Sequence, residues 1–181
     1  MNNSILVFDD VLDKLSPELV ELFDNPLKEL DWYPLEHEHK YKKFCIDILT
    51  IASRYFDFSK IVGYEFWGQQ NTKPNTWHYD KDEKLYSKER KLVFPVCSTI
   101  YYLKVEDLEG GRLIVENDVI TPKTNRLVIF PSSVMHCVNP YYGSGLRYSI
   151  TYDILITGKK DLNMNNEMCI VNPENWIDID E

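Results

Sequence analysis

At 181 residues and 21.4 kDa the chain is long enough for one domain with a buried core and too short for two of ordinary size. Hydrophobic residues at 44% and charged residues at 27% exclude a disordered or collagen-like chain, and the aromatic share of 13% leans toward strands. Lys and Arg number 20 against 29 Asp and Glu; the net charge of −9 repels a phosphate backbone, so nucleic acid is not an expected partner.

The first apolar run, Ile5 to Phe8, reads as a short opening strand. No basic residue precedes it and Asp9-Asp10 follows, unlike a signal peptide. No apolar run approaches the roughly 18 residues of a membrane span. A cytoplasmic protein without membrane contact is expected. Ser16-Pro17-Glu18 is an N-cap with proline at the first helical position, after which Leu19, Leu22, Phe23 and Leu30 recur at helical spacing, interrupted at Asn25-Pro26. A second helix is expected over 41–56, with Phe44, Ile48, Ile51 or Ala52, and Tyr55 on one face.

From residue 61 the texture changes to short β-branched and aromatic runs between turn signals. Strands are expected near 61–69, 75–80, 92–104, 112–116, 118–121, 126–130, 134–138 and 146–156. The charged stretch 81–91 is expected to be a loop or hairpin. Eight short strands after two helices give a mainly β fold, a sandwich or barrel with the helices packed on one outer face. The whole of 1–181 forms one domain in this reading: helical support over 1–60, a barrel over 61–156 and a tail over 157–181. The tail is Asn-rich and acidic, with a candidate edge strand at 169–171. Cys45, Cys97, Cys137 and Cys169 are widely spread with no C-x-x-C pair, and are expected to be reduced and mostly buried.

The chemistry concentrates in three places. In Trp77-His78-Tyr79-Asp80, residues two apart on an extended segment share a face, so His78 and Asp80 can present an imidazole and a carboxylate to one point. A surface hydrogen bond between them is the plainer alternative. His136 sits in the apolar strand Val134 to Val138, where a core-facing histidine costs free energy unless its nitrogens are satisfied by a metal or by a backbone carbonyl. Eleven residues beyond it begins Arg147-Tyr148-Ser149-Ile150-Thr151-Tyr152-Asp153, with Arg147, Ser149, Thr151 and Asp153 on one face. If that face lines the interior, an anion or an internal pair with Asp153 must meet the guanidinium. Two histidines and a carboxylate on one side of a metal leave three open positions, the arrangement of non-haem Fe(II) oxygenases.

The order H-x-D, a histidine 58 residues after the first, then R-x-S eleven residues on, resembles the 2-oxoglutarate-dependent Fe(II) dioxygenases. The closest likeness is to prolyl hydroxylases, both oxygen-sensing and collagen-type. It runs from about Glu65 to Ile156 and includes Ile100-Tyr101-Tyr102-Leu103, the Gly110-Gly111 turn, Pro122 and Arg126 to Phe130. The resemblance implies a double-stranded β-helix, a jelly-roll barrel with Fe(II) on His78, Asp80 and His136. It implies Arg147 on the distal carboxylate of 2-oxoglutarate, with Tyr102, Ser149 and Thr151 assisting, and O2 as co-reactant. Ascorbate fits as a reductant. The activity implied is hydroxylation of an unactivated C–H bond, in a prolyl residue of a peptide or protein.

Two departures stand out. Many collagen-type enzymes carry lysine where this sequence has Arg147, and the tryptophan common in the oxygen-sensing branch is Asp153 here. Asp153 is therefore a candidate for shaping the substrate pocket or pairing with Arg147, and Trp67 and Trp77 are candidates for its apolar wall. The segment 81–91, with five basic and three acidic residues, suits a lid that recruits an acidic peptide or small acid. Nucleic-acid demethylases of this fold carry a second arginine at the position of Asp153, and the retained Asp80 excludes halogenase logic. Hydroxylation of a free amino acid or small metabolite, and a non-catalytic cupin-like metal-binding barrel, stay open.

Overall fold

The computed structural model describes residues 5–25, 27, 31–70, 74–142 and 144–155. Strands β1 (Leu6–Phe8), β2 (Asp31–Pro34), β3 (Gly63–Gln70), β5 (Cys97–Glu106), β9 (Arg126–Phe130) and β12 (Leu146–Leu155) form one antiparallel sheet in the order β1-β9-β5-β12-β3-β2. A second sheet, ordered β4-β10-β7-β8, comprises β4 (Asn75–His78), β7 (Leu113–Val115), β8 (Asp118–Ile120) and β10 (His136–Val138). A short ribbon pairs β6 (Glu109–Gly110) with β11 (Tyr141–Tyr142). The expected architecture is present, a double-stranded β-helix of two facing sheets with helices outside.

Alternation along the strands of the larger sheet builds two cores. Tyr148, Ile150, Tyr152 and Ile154 of β12 join Tyr101 and Leu103 of β5 against Leu19, Leu22, Phe44, Ile48 and Ala52 of the helical layer. On the opposite face Ile100, Tyr102, Val128 and Phe130 meet Leu113, Val115 and Val138 of the smaller sheet, with Val134 from the turn before β10. Helix α1 (Pro17–Glu21) has five residues, far below what holds an isolated helix together, so its buried Leu19 and the neighbouring Leu22 do the anchoring. Each such side chain contributes about 1.5–3 kcal/mol. Ser16 caps α1 through its hydroxyl to the Leu19 N–H, as expected from Ser-Pro-Glu. Helix α2 (Lys42–Ala52) buries Phe44, Ile48 and Ala52 of the expected face together with Cys45, but it ends before Tyr55, which is 53% exposed.

Several expectations need correction. The first helix stops at Glu21, short of the Asn25-Pro26 break, and Leu30 lies outside the described residues; β2, where no strand was expected, pairs Trp32 and Tyr33 with Glu65 and Tyr64 of β3. The stretch 81–91 contains a helix, α3 (Glu83–Glu89), capped by the Asp82 carboxylate accepting from the Leu85 N–H at 2.8 Å. Asp82 reads as an N-cap with hindsight, because its short carboxylate reaches the third N–H that the helix leaves unpaired. Strand β5 starts at Cys97 rather than 92, and β10 at His136 rather than 134. Cys45, Cys97 and Cys137 are buried. The candidate edge strand at 169–171 and Cys169 lie outside the described residues.

Asn125 ties the opening segment to the barrel. At φ +62° it occupies the left-handed region, its Oδ1 accepts from the Leu12 N–H and the Tyr101 hydroxyl, and its Nδ2 donates to the Leu12 carbonyl. Asn125→Ala loses three hydrogen bonds and keeps an unfavourable backbone. The expected cost is about 2–4 kcal/mol, read as a lower urea midpoint with an unchanged slope.

Candidate active site

Strand β4 lies at the edge of the smaller sheet beside β10, and their register sets His78 across from His136. The two imidazole centroids are 4.2 Å apart. Asp80, two residues beyond His78, lands on the same side: its carboxylate oxygens lie 3.6 Å from His78 Nε2 and 3.4 Å from His136 Nε2. One donor atom from each of the three residues falls within 4.8 Å of the others.

Each ring is aimed by its own strand. His78 Nδ1 meets the Thr76 carbonyl at 2.7 Å, and His136 Nδ1 meets the Val134 carbonyl at 3.1 Å. Only a protonated Nδ1 can donate to a carbonyl, so in the neutral ring the lone pair stays on Nε2, on the side of Asp80. Burial, then the neighbouring His136, holds the His78 pKa below its ordinary value, against the pull of the Asp80 carboxylate. Neutral imidazole is the metal-binding form. The Nε2 to carboxylate separations exceed those of good hydrogen bonds, which disfavours the surface-pair alternative. Ligands about 2.1 Å from a shared metal sit roughly 3 Å apart, so this donor set fits a divalent ion after small inward shifts.

The second half of the site is on β12. Its inner face runs Arg147 opposite Val105, Ser149 opposite Tyr102, Thr151 between Ile100 and Trp67, and Asp153 between Ser98 and Glu65. Between the first two pairs β5 advances three residues while β12 advances two, so β5 bulges there. Leu103 turns to the helix-side core while Tyr102 keeps to the inner one. Arg147 is 3% exposed; its Nη2 donates to the Ser149 hydroxyl at 3.3 Å and its guanidinium lies 5.7 Å from the Tyr102 ring centroid. The Tyr102 hydroxyl is buried with no hydrogen-bond partner among the described residues. Left so, it costs about 1–3 kcal/mol. Burial raises the Tyr102 pKa, so the phenol stays a donor. Burial lowers the Arg147 pKa, with Tyr102 and Tyr141 opposing, and an arginine remains charged regardless. A sheltered cation beside an unsatisfied O–H is suited to a carboxylate.

Nothing in the sequence indicates that the β6–β11 ribbon lies beside Arg147. A Cβ built on Gly111 would lie 3.4 Å from Tyr141 Cβ and 3.8 Å from Arg147 Cδ, which brings the ribbon against the arginine stem. Two tyrosines in a Pro-Tyr-Tyr-Gly loop are the one available signal, and turn chemistry masks it.

Trp67 shares the inner face with Thr151 and is half-buried. Trp77 does not join it: between the His136–His78 and Val138–Asn75 pairs, Thr76 and Trp77 together face the register position of Cys137, out of phase with the ligands. Asp153 is buried on the inner face but six residues along the strand from Arg147, about 20 Å, so the two do not pair. Directly across from Asp153 is Glu65, also buried, a carboxylate that the sequence reading missed because its strand neighbours Tyr64 and Phe66 read as core.

The sequence model of the 2OG-Fe(II) oxygenase superfamily matches residues 64–153, a span that holds all three candidate metal ligands, Tyr102 and Arg147. The chain belongs to this superfamily. No curated protein matches the chain at the sequence level. Among solved structures, a Pseudomonas putida prolyl-4-hydroxylase is similar at a TM-score of 0.59 and 18% identity, covering 87% of this chain and 95% of its own. The viral collagen prolyl hydroxylase of Paramecium bursaria Chlorella virus-1, in its 2OG complex, has a TM-score of 0.54 and 17% identity over 83% of this chain and 94% of its own. A Trichoplax adhaerens prolyl hydroxylase, solved with a hypoxia inducible factor oxygen degradation domain peptide fragment, has a TM-score of 0.55 and 16% identity over 84% of each chain. These likenesses show a shared fold, that of prolyl hydroxylases. The oxygenase is thus an Fe(II) and 2-oxoglutarate enzyme, and the residues present fit both: two imidazoles and a carboxylate converge, and a buried guanidinium stands beside a phenol hydroxyl that has no hydrogen-bond partner among the described residues.

Proposed function

We propose that this oxygenase hydroxylates a prolyl residue within a peptide or protein. The observation that carries the reading is one interior with two complementary ends. Three ligand side chains converge on the smaller sheet, and the Arg147–Tyr102 cradle faces it from the larger. His78, Asp80 and His136 hold Fe(II). Arg147 and Tyr102 bind the distal carboxylate of 2-oxoglutarate, with Ser149 fixing the guanidinium and Thr151 lining the same face. Fe(II) with O2 and 2-oxoglutarate supplies hydroxylation of an unactivated C–H bond, the keto acid leaving as succinate and carbon dioxide. The chain's own part is ordering and shelter: neutral imidazoles presented through Nε2, a fixed cation at the far end, and apolar walls that exclude water. Trp67 offers a flat wall for a proline ring. Ascorbate serves as reductant, and the cytoplasm is the proposed location.

The deciding experiment is an anaerobic titration with Fe(II) and 2-oxoglutarate, watching for the visible charge-transfer band of a chelated keto acid. Proline-containing peptides are then screened for mass gain of one oxygen atom. A metal-binding protein that shows no band at any 2-oxoglutarate level is instead a non-catalytic barrel. A second reading, hydroxylation of a free amino acid or small metabolite, is favoured by Asp153 and Glu65, whose buried carboxylates face one another on the pocket side and suit an amine. Free amino acids therefore belong in the same screen.

Gly110 sits at φ +81°, and a Cβ there would lie 2.3 Å from the Pro140 carbonyl oxygen. Gly110→Ala must displace the ribbon from Arg147. The expected result is a several-fold higher 2-oxoglutarate requirement with Fe(II) affinity unchanged, measured by the same titration.

A further inference from the structure

Arg147 is the second residue of β12, near a strand end where a long charged side chain ordinarily reaches water, yet it is 3% exposed. Beside its stem lies the β6–β11 ribbon. Gly111 follows β6 at φ +61°, and its missing side chain leaves Tyr141 and the arginine as neighbours: a Cβ there would lie 3.4 Å from Tyr141 Cβ and 3.8 Å from Arg147 Cδ. The ribbon is fastened where it continues past the glycines. The Gly111 N–H donates to the Pro140 carbonyl at 3.1 Å, the Asn139 N–H to the Arg112 carbonyl at 3.0 Å, and the Arg112 N–H to Asn139 Oδ1 at 2.6 Å. Along β11 the two tyrosines alternate: Tyr142 is 66% exposed, whereas Tyr141 is half-buried and its phenol acts electrostatically on the Arg147 guanidinium. Arg147 therefore has the Ser149 hydroxyl and the Tyr102 ring near its guanidinium and the ribbon beside its stem.

We infer that Tyr141 is the end wall of the cosubstrate pocket and a specificity-determining residue: it fixes how far the guanidinium stands from the metal ligands, and so limits the keto diacid to the length of 2-oxoglutarate. This rests on the placement of the distal carboxylate at Arg147 proposed above and adds what sets the length of the pocket. With the keto acid end held at the metal site, a chain longer by one methylene needs the guanidinium to retreat. A ring packed against the arginine stem opposes that retreat, because close-packed side chains yield little. Discrimination of one methylene in a shaped pocket reaches about 10- to 200-fold. Truncating Tyr141 removes the stop and lets water reach the guanidinium, which weakens its hold on any carboxylate.

The test measures binding, not turnover. The full chain is titrated anaerobically with Fe(II) and either 2-oxoglutarate or 2-oxoadipate, which chelate through the same keto acid end, and the charge-transfer band reports occupancy. The expected result is a preference for 2-oxoglutarate of at least about tenfold in the wild type, falling to within about threefold in Tyr141→Ala and retained in Tyr141→Phe, which keeps the ring. Tyr141→Val takes the place of alanine if alanine unfolds the ribbon, and Tyr142→Ala, on the exposed neighbour, is expected to match wild type. A second measurement needs no metal. Phenylglyoxal treatment followed by peptide mass spectrometry should spare Arg147 in wild type and Tyr141→Phe but modify it in Tyr141→Ala, with the exposed Arg54, Arg90 and Arg112 as internal standards. Equal binding of the two acids by the wild type, a preference unchanged in folded Tyr141→Ala, its loss in Tyr141→Phe, or an Arg147 that stays protected in Tyr141→Ala each overturns the inference. Absence of the band with either acid strikes the cosubstrate reading instead, and the phenylglyoxal result still decides whether Tyr141 shelters the arginine.

Discussion

Replacing His136 by alanine is expected to abolish Fe(II)-dependent turnover while the β-sandwich stays folded. The ring is 4% exposed, opposes His78 across β4 and β10, and sits edge-on to Phe130 at 4.8 Å. Its removal takes away one of three convergent donors. Loss of a group that merely orients a ligand costs roughly 10- to 100-fold in metal affinity, so loss of the ligand itself should exceed about 100-fold. The cavity left beside Phe130 and Val134 should cost about 1–3 kcal/mol, which a sandwich with two cores tolerates. The measurements are anaerobic Fe(II) titration and succinate release, with circular dichroism and a urea midpoint as the folding control. Wild-type turnover in a folded His136→Ala protein would remove His136 from the metal site.

Arg147→Ala should raise the 2-oxoglutarate requirement by about 30-fold or more, because truncating one partner of a sheltered charge pair costs about 2–5 kcal/mol. Fe(II) affinity should not change, since none of the three ligands stands on β12. Arg147→Lys keeps the charge but loses the planar fork and the bond to Ser149, and should fall between wild type and alanine. The contrast locates the effect: a structural arginine would lower stability in both variants and leave the half-saturating 2-oxoglutarate concentration alone. Tyr102→Phe removes the unsatisfied hydroxyl and offers an independent check. With no ligand bound it should be neutral or stabilising, and with 2-oxoglutarate it should bind more weakly.

Much of this was legible in the chain. The two-residue spacing of His78 and Asp80 and the alternation of Arg147, Ser149, Thr151 and Asp153 are local facts, because strand geometry alone decides which residues share a face. The α2 face and the Ser16 cap are equally local. The sequence likewise determined the candidate ligands by type and order, His78, Asp80 and His136, and their kinship with Fe(II) oxygenases.

What the chain order alone leaves open is which distant strands meet, and in what register. The spacing of 58 residues between His78 and His136 says nothing of distance; the β4–β10 pairing sets them face to face and puts Trp77 out of phase with both. No local pattern marks a strand at 31–34, because Trp32 and Tyr33 owe their extended backbone to pairing with Glu65 and Tyr64 of β3, far away in sequence. Asp153 looked able to reach Arg147 only until the length of β12 set about 20 Å between them and brought Glu65 across from it. The sequence therefore determined the chemistry available, since ligand type, charge and face are properties of residues and their near neighbours. Tertiary structure decided the site itself, because register between strands far apart in sequence is fixed by the burial of two whole sheet faces at once.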